Sequence, residues 1–118
     1  MKYFLIAGEA SGDLHAATLI AQIKRKDSNS LFAGLGGDKM RELGCQLYQD
    51  YQQMAFMGFA AVLRNIGKVR RNFQIARRAL LTERPDVLIV VDYPSFNLRM
   101  AAFCRKHLPN TKIVYYIP

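Results

Sequence analysis

The sequence predicts an α/β fold in which helices cover both faces of a doubly wound parallel sheet. Three observations carry that expectation. The apolar runs, Tyr3 to Ala7 and Val87 to Val91 above all, lack polar alternation, as strands buried on both faces require. Helical patterns alternate with these runs along the whole chain. Polar clusters rich in glycine or led by an aspartate follow three of the runs, where a strand turns toward a helix.

Taken in order, the first strand covers about Lys2 to Ala7 and runs into Gly8-Glu9-Ala10-Ser11-Gly12-Asp13. Two glycines there allow a tight turn and close approach of a ligand to the backbone. A helix is expected from about Ser11 to Arg25, capped by Ser11 or Asp13, with Leu14, Ala17, Ile20 and Ala21 on one side. Asp27-Ser28-Asn29-Ser30 is a polar turn. A second strand, Leu31 to Leu35, ends in Gly36-Gly37-Asp38, and a short helix, Lys39 to Leu43, stops at Gly44. A weak third strand is expected at Gln46 to Tyr48, whereas Asp50 to Gly58 fits neither template. Phe59 to Asn65 reads as helical, and Gly67 interrupts its continuity with the stripe Ile66, Val69, Phe73, Ala76 and Leu80 that reaches Arg84. Pro85-Asp86 ends that helix. Val87 to Val91 is the strongest strand and carries Asp92 at its carboxyl end; a helix from Phe96 to His107 and a strand from Lys112 to Ile117 follow.

At 118 residues the chain is one domain with room for a real core. It ends on an apolar strand pattern, so we expect it to be part of something longer. Seventeen Lys and Arg against nine Asp and Glu give +8, which favours anionic partners: nucleic acid, phosphorylated substrates or an acidic membrane surface. Cys45 and Cys104 lack metal-type spacing and read as reduced, buried small residues of a cytoplasmic protein. No stretch reaches transmembrane length, and Gly8 and Glu9 break the first apolar run too early for a signal peptide.

In open parallel sheets ligands bind beyond the carboxyl ends of the strands. Three polar clusters fall there: residues 8–13, 36–38 and 92–97. Neither glycine cluster has the three-glycine dinucleotide spacing or the Lys-Ser/Thr pair of a phosphate loop. Asp92 is the sharper case, because a carboxylate ending an apolar strand is expected to be drawn partly out of water, which raises its pKa and suits it to accept a proton. A cap or turn anchor is the equally weighted alternative. Pro94 fixes the turn, and Asn97 offers a donor and an acceptor at the start of the next helix. His15 and His107 read as solvated helix positions. Glu9 and Asp13 form a carboxylate pair, with Asp13 serving equally well as a helix cap.

Residues 54–84 have another character. Met54, Phe56, Met57, Phe59, Val62, Leu63 and Ile66 are densely apolar, and Arg64, Lys68, Arg70, Arg71, Arg77, Arg78 and Arg84 follow with Glu83 the single acid. Bulky side chains in Met54 to Leu63 point in too many directions for one core face, so that part reads as a surface for lipid. For residues 69–80 a core-packing helix with a solvated basic face is the better reading.

Gly8-Glu9-Ala10-Ser11-Gly12-Asp13 together with Val91-Asp92-Tyr93-Pro94-Ser95-Phe96-Asn97 resembles the lipid-A-disaccharide synthase family. Gly34-Leu35-Gly36-Gly37-Asp38-Lys39-Met40, Met54-Ala55-Phe56-Met57-Gly58-Phe59 and Tyr115-Tyr116-Ile117-Pro118 support the match in family order. The resemblance implies a Rossmann-like, acceptor-side N-terminal half of a two-domain GT-B glycosyltransferase, spanning residues 1–118, with the UDP-binding C-terminal domain absent. It implies transfer of 2,3-diacylglucosamine from its UDP conjugate to 2,3-diacylglucosamine 1-phosphate, with inversion and release of UDP, and inactivity of these residues alone. Asp92 matches the general base; Glu9, Ser11, Gly12 and Asp13 match cleft-lining positions; Asn97 would orient Asp92 or a sugar hydroxyl. The segment from Met54 to Ile66 matches a membrane-facing patch, on the inner face of the cytoplasmic membrane. No cofactor or metal is implied. An exposed last strand predicts a homo-oligomer.

Other classes make different demands. A glycosyltransferase for another lipid-linked sugar would share the fold and basic apolar patch without the paired motifs. A receiver-like or nucleotide-binding module would be complete at this length. A nucleic-acid module would explain +8, but the sequence has no aromatic-interleaved strand or recognition-helix pattern.

Overall fold

A computed structural model describes residues 1–52 and 66–117. Its elements are β1 (Lys2–Ala7), α1 (Ala10–Lys26), β2 (Leu31–Gly36), α2 (Asp38–Glu42), β3 (Gln46–Asp50), α3 (Ile66–Glu83), β4 (Val87–Val91), α4 (Pro94–His107) and β5 (Lys112–Tyr116). The five strands form one sheet in the order β3-β2-β1-β4-β5, and every pairing is parallel. The chain steps outward from β1 to β3, then returns through α3 to place β4 on the other side of β1. That reversal leaves a crevice at the carboxyl ends of β1 and β4, whose last residues, Ala7 and Val91, are paired.

The strands alternate between two faces. Phe4, Ile6, Leu35, Leu88 and Val90 pack with Phe73, Ala76 and Leu80 of α3 and with Phe96, Met100 and Cys104 of α4. Leu5, Ala7, Phe32, Ile89 and Val91 pack with Ala16 and Ile20 of α1 and Met40 of α2. All five residues of β4 are buried, so the central position of the strongest apolar run follows from its lack of any polar face. The expected doubly wound parallel sheet is what forms.

The edges of the elements differ from the expected ones in instructive ways. Helix α1 begins one residue earlier and is capped by neither Ser11 nor Asp13: Glu9 occupies the cap position, and its side chain makes no capping bond. Of the expected face Ala17 and Ile20 do turn to the sheet, joined by Asp13 and Ala16, whereas Leu14 is 54% exposed. Strand β3 extends to Asp50, paired to β2 with a register shift after Gly34. Gly44, at φ +88°, takes the left-handed step that ends α2's turn, as its position predicts. Helix α3 ends at Glu83; Arg84 follows in the left-handed region, and Pro85 forbids another turn. Strand β5 is an edge; Ile113 and Tyr115 pack on the α3–α4 side, while Val114 on the opposite side is 46% exposed.

Candidate functional site at the carboxyl edge of the sheet

Residues 8–13 and 92–97 leave adjacent strands and meet at the crevice. Gly8 is buried beneath Tyr93: a Cβ there would lie 2.7 Å from the tyrosine ring, so only glycine lets the ring lie across the strand end. Gly12 is also buried, with room for α1 to pack close to Ala7 and Val91. Glu9 and Ser11 are exposed at the mouth of α1. The first intrahelical bond runs from Asp13 N–H to the Glu9 carbonyl, 2.9 Å, leaving the N–H groups of the first turn open toward the crevice.

Asp13 does something other than line the cleft. It is 4% exposed, and its carboxylate accepts from the backbone N–H groups of Gly37 (3.0 Å), Lys39 (3.1 Å) and Met40 (3.1 Å). It caps α2 rather than α1, and the expected Glu9–Asp13 carboxylate pair gives way to one exposed and one buried acid. The contact tethers the loop after β2 to the first turn of α1, and a Cβ on Gly37 would meet both the Tyr51 ring and this carboxylate.

Asp92 is exposed, so the expectation that the strand withdraws it from water fails. The strand stops at Val91, and both Asp92 and Tyr93 adopt left-handed conformations, φ +46° and +54°, which swing the chain outward before Pro94 opens α4. Asp tolerates this region better than most residues; Tyr does so at a cost of order 1 kcal/mol or more. The turn is held by its backbone. Asp92 N–H donates to the Tyr116 carbonyl (2.9 Å), and the Asp92 carbonyl accepts from Asn97 Nδ2 (2.6 Å) and the Tyr115 hydroxyl (3.2 Å). Asn97 is fully buried and also donates to the Val91 carbonyl (3.2 Å), while its Oδ1 has no partner among the described residues. The result is an exposed carboxylate on a rigidly tied turn. Burial, and then the Glu9 charge, push the Tyr93 phenol up from its ordinary value; burial and then Asp92 do the same to Tyr115.

Reasoning from sequence missed Tyr93 and Tyr115 as members of this group. The signal for Tyr93 was available: a glycine directly after a strand invites a flat side chain on top of it. For Tyr115, only the pairing of β5 with β4 places it, and no local pattern carries that.

Met54, Phe56, Met57, Phe59, Val62 and Leu63 lie outside the described residues, and Ile66 is the first residue of α3. Beyond that segment, Arg70, Arg71, Arg77 and Arg78 on α3 and Arg99, Arg105 and Lys106 on α4 are all exposed, and none has an ion-pair partner among the described residues. Glu83, the one acid on these two helices, is taken by Lys2 (3.0 Å) and Tyr48. Arg77 lies 5.6 Å from the Phe73 ring and 5.4 Å from the Phe103 ring, and Arg99 lies 5.4 Å from the Phe73 ring. Among the described residues no group of His, Cys, Asp and Glu could hold a metal ion, and no helix is long and apolar enough to cross a membrane. Both cysteines are buried and free, and burial, followed by the Asp13 charge, pushes the Cys45 thiol up to about 12.

The family model described as "Lipid-A-disaccharide synthetase" matches residues 3–118. The chain belongs to the lipid-A-disaccharide synthase family. Within that family it is 41% identical over 116 residues to the lipid-A-disaccharide synthase of Geobacter sulfurreducens, covering 98% of this chain and 30% of that protein. It is 41% identical to lipid-A-disaccharide synthase 1 of Legionella pneumophila strain Paris over the same shares. It is 40% identical to the lipid-A-disaccharide synthase of Xanthomonas oryzae pv. oryzae, again over 98% of this chain and 26% of that one. The chain thus spans under a third of the length of these curated relatives. Its five-stranded parallel sheet is consistent with a Rossmann-like half of a GT-B glycosyltransferase.

Proposed function

We propose that this chain is the acceptor-side part of an enzyme of lipid A biosynthesis. The enzyme moves 2,3-diacylglucosamine from its UDP conjugate to 2,3-diacylglucosamine 1-phosphate. The observation that carries the reading is Asp92: an exposed carboxylate at the sheet's switch point, its backbone tied from three sides, beside the open first turn of α1. In this reading Asp92 takes the proton of the acceptor hydroxyl. The hydroxyl oxygen attacks the donor's anomeric carbon from the face opposite the nucleotide, the carbon–oxygen bond to the diphosphate breaks, and UDP leaves with that electron pair, which inverts the centre.

Asn97 fixes the turn that aims Asp92. Glu9 and Ser11, exposed at the mouth of α1, meet sugar hydroxyls. Gly12 keeps the helix close, and Asp13 shapes the rim through α2. The nucleotide's contacts fall to the part of the relatives that lies beyond this chain's length, and the 118 residues alone transfer no sugar. Met54 to Ile66 receive acyl chains, and together with the basic residues of α3 and α4 they keep the protein peripheral on the inner face of the cytoplasmic membrane. The 118 residues alone associate into a dimer or larger assembly, because the apolar edge of β5 seeks a partner. Asp92→Asn in the full-length protein tests the reading. Turnover should fall by about two orders of magnitude or more, with the fold unchanged by circular dichroism. Near-normal turnover would reduce Asp92 to a turn residue.

A further inference from the structure

We infer that Tyr115 is a positioning residue for Asp92, its hydroxyl locking the left-handed turn that aims the carboxylate into the crevice. The inference rests on the reading of Asp92 given above.

Two consecutive non-glycine residues in the left-handed region persist only where the surroundings over-determine them. Asp92 and Tyr93 are such a pair, and the bonds that hold them come from two elements. From α4, Asn97 Nδ2 donates to the Asp92 carbonyl. From β5, the Tyr116 carbonyl accepts the Asp92 N–H, and the Tyr115 hydroxyl supplies the second donor to the Asp92 carbonyl. A carbonyl with two lone pairs takes both donors without competition. Asn97 reaches the turn from within the core, fully buried; Tyr115 reaches it from the edge strand with its hydroxyl in an exposed contact.

The tyrosine is itself well placed. It stands opposite Val90 in the β4–β5 register, and its ring packs on the cluster that includes Phe96. Burial and the nearby Asp92 charge keep the phenol protonated, so it remains a donor throughout the working range. A phenol held beside the Asp92 carbonyl also stands near the carboxylate of the same residue, which couples the two groups electrostatically. The arrangement aims a general base without using its carboxylate as the handle, and that carboxylate stays free for the acceptor hydroxyl.

Tyr115→Phe in the full-length protein removes the donor and keeps the ring. Turnover is expected to fall about three- to tenfold, the worth of one net hydrogen bond carried into the barrier. KM for both sugar substrates should stay within about twofold, so that the loss falls on kcat. Tyr115→Met, which keeps bulk without a donor, should behave like Phe. Wild-type kcat in either Tyr115 variant, with Asp92→Asn inactive, overturns the role of Tyr115 and leaves the reading of Asp92 standing. A near-normal Asp92→Asn removes both.

Discussion

Replacing Asp13 by Asn changes one atom and should cost far more than a surface substitution. The carboxylate is 4% exposed and serves three backbone donors: Oδ1 those of Gly37 and Met40, Oδ2 that of Lys39. An amide retains one acceptor oxygen. If it keeps Gly37 and Met40, its NH2 group faces the Lys39 N–H, donor against donor. Hydrogen bonds to a charged group contribute about 1.5–3 kcal/mol each, and a donor left without a partner carries a penalty of similar size. The surviving two bonds also weaken with loss of charge, and the first turn of α2 loses a favourable anion worth a further ~0.3–1 kcal/mol. Together the expected destabilisation is about 2–4 kcal/mol. Urea unfolding of the 118-residue chain, followed by far-ultraviolet circular dichroism, reads it as a fall in midpoint at constant slope. Asp13→Ala should cost at least as much, since all three donors are then orphaned. A midpoint for Asp13→Asn equivalent to less than about 0.5 kcal/mol of change would refute the clasp and return Asp13 to the cleft.

Two further outcomes are expected. The bond from Tyr48 and then the charge and bond of Lys2 hold Glu83 below its ordinary 4.5, so the stability it contributes is present above that value and is lost as pH falls through its lowered folded-state pKa. Glu83→Gln should therefore flatten the acid limb of a stability–pH curve while leaving the curve parallel to wild type above about pH 6; an unchanged acid limb contradicts the pairing. Replacing Met57, Phe59 and Leu63 with Ser should weaken sedimentation with anionic vesicles at every salt concentration, whereas replacing Arg70, Arg71, Arg77 and Arg78 with Gln should do so mainly at low salt, because exposed charges are screened within about 10 Å at 0.1 M. Unchanged binding in both variants would remove the lipid role of that face.

What could be read from the sequence followed how local each signal is. β4 was legible to the residue because Val87 to Val91 has no polar side and Pro85 and Asp92 bracket it. The crevice was legible because parallel strands put every loop of one kind on one edge. Asp13 was misassigned because a helix cap read from sequence looks only at its own helix, whereas this carboxylate spans 24 to 27 residues to reach α2. Asp92 was misjudged in exposure because an apolar strand says nothing of the left-handed step that follows it. A helical wheel put Ala17 and Ile20 inside as found, but also Leu14; the small Ala16 faces the sheet in its stead because α1 packs closely over Ala7 at Gly12.

The layer of α3 and α4 gives the molecule a permanent electrical orientation. Seven exposed cations without ion-pair partners among the described residues stand on one side of the sheet, while α1 and α2 mix both signs. In an external field from a negatively charged surface such a body experiences a torque as well as a pull. It turns before it touches, over a range of about one Debye length, roughly 8 Å at physiological salt. Collisions that begin with the wrong side forward are thereby converted into productive ones instead of being wasted. The same asymmetry makes the rate of arrival, more than the strength of attachment, the quantity that ionic strength controls.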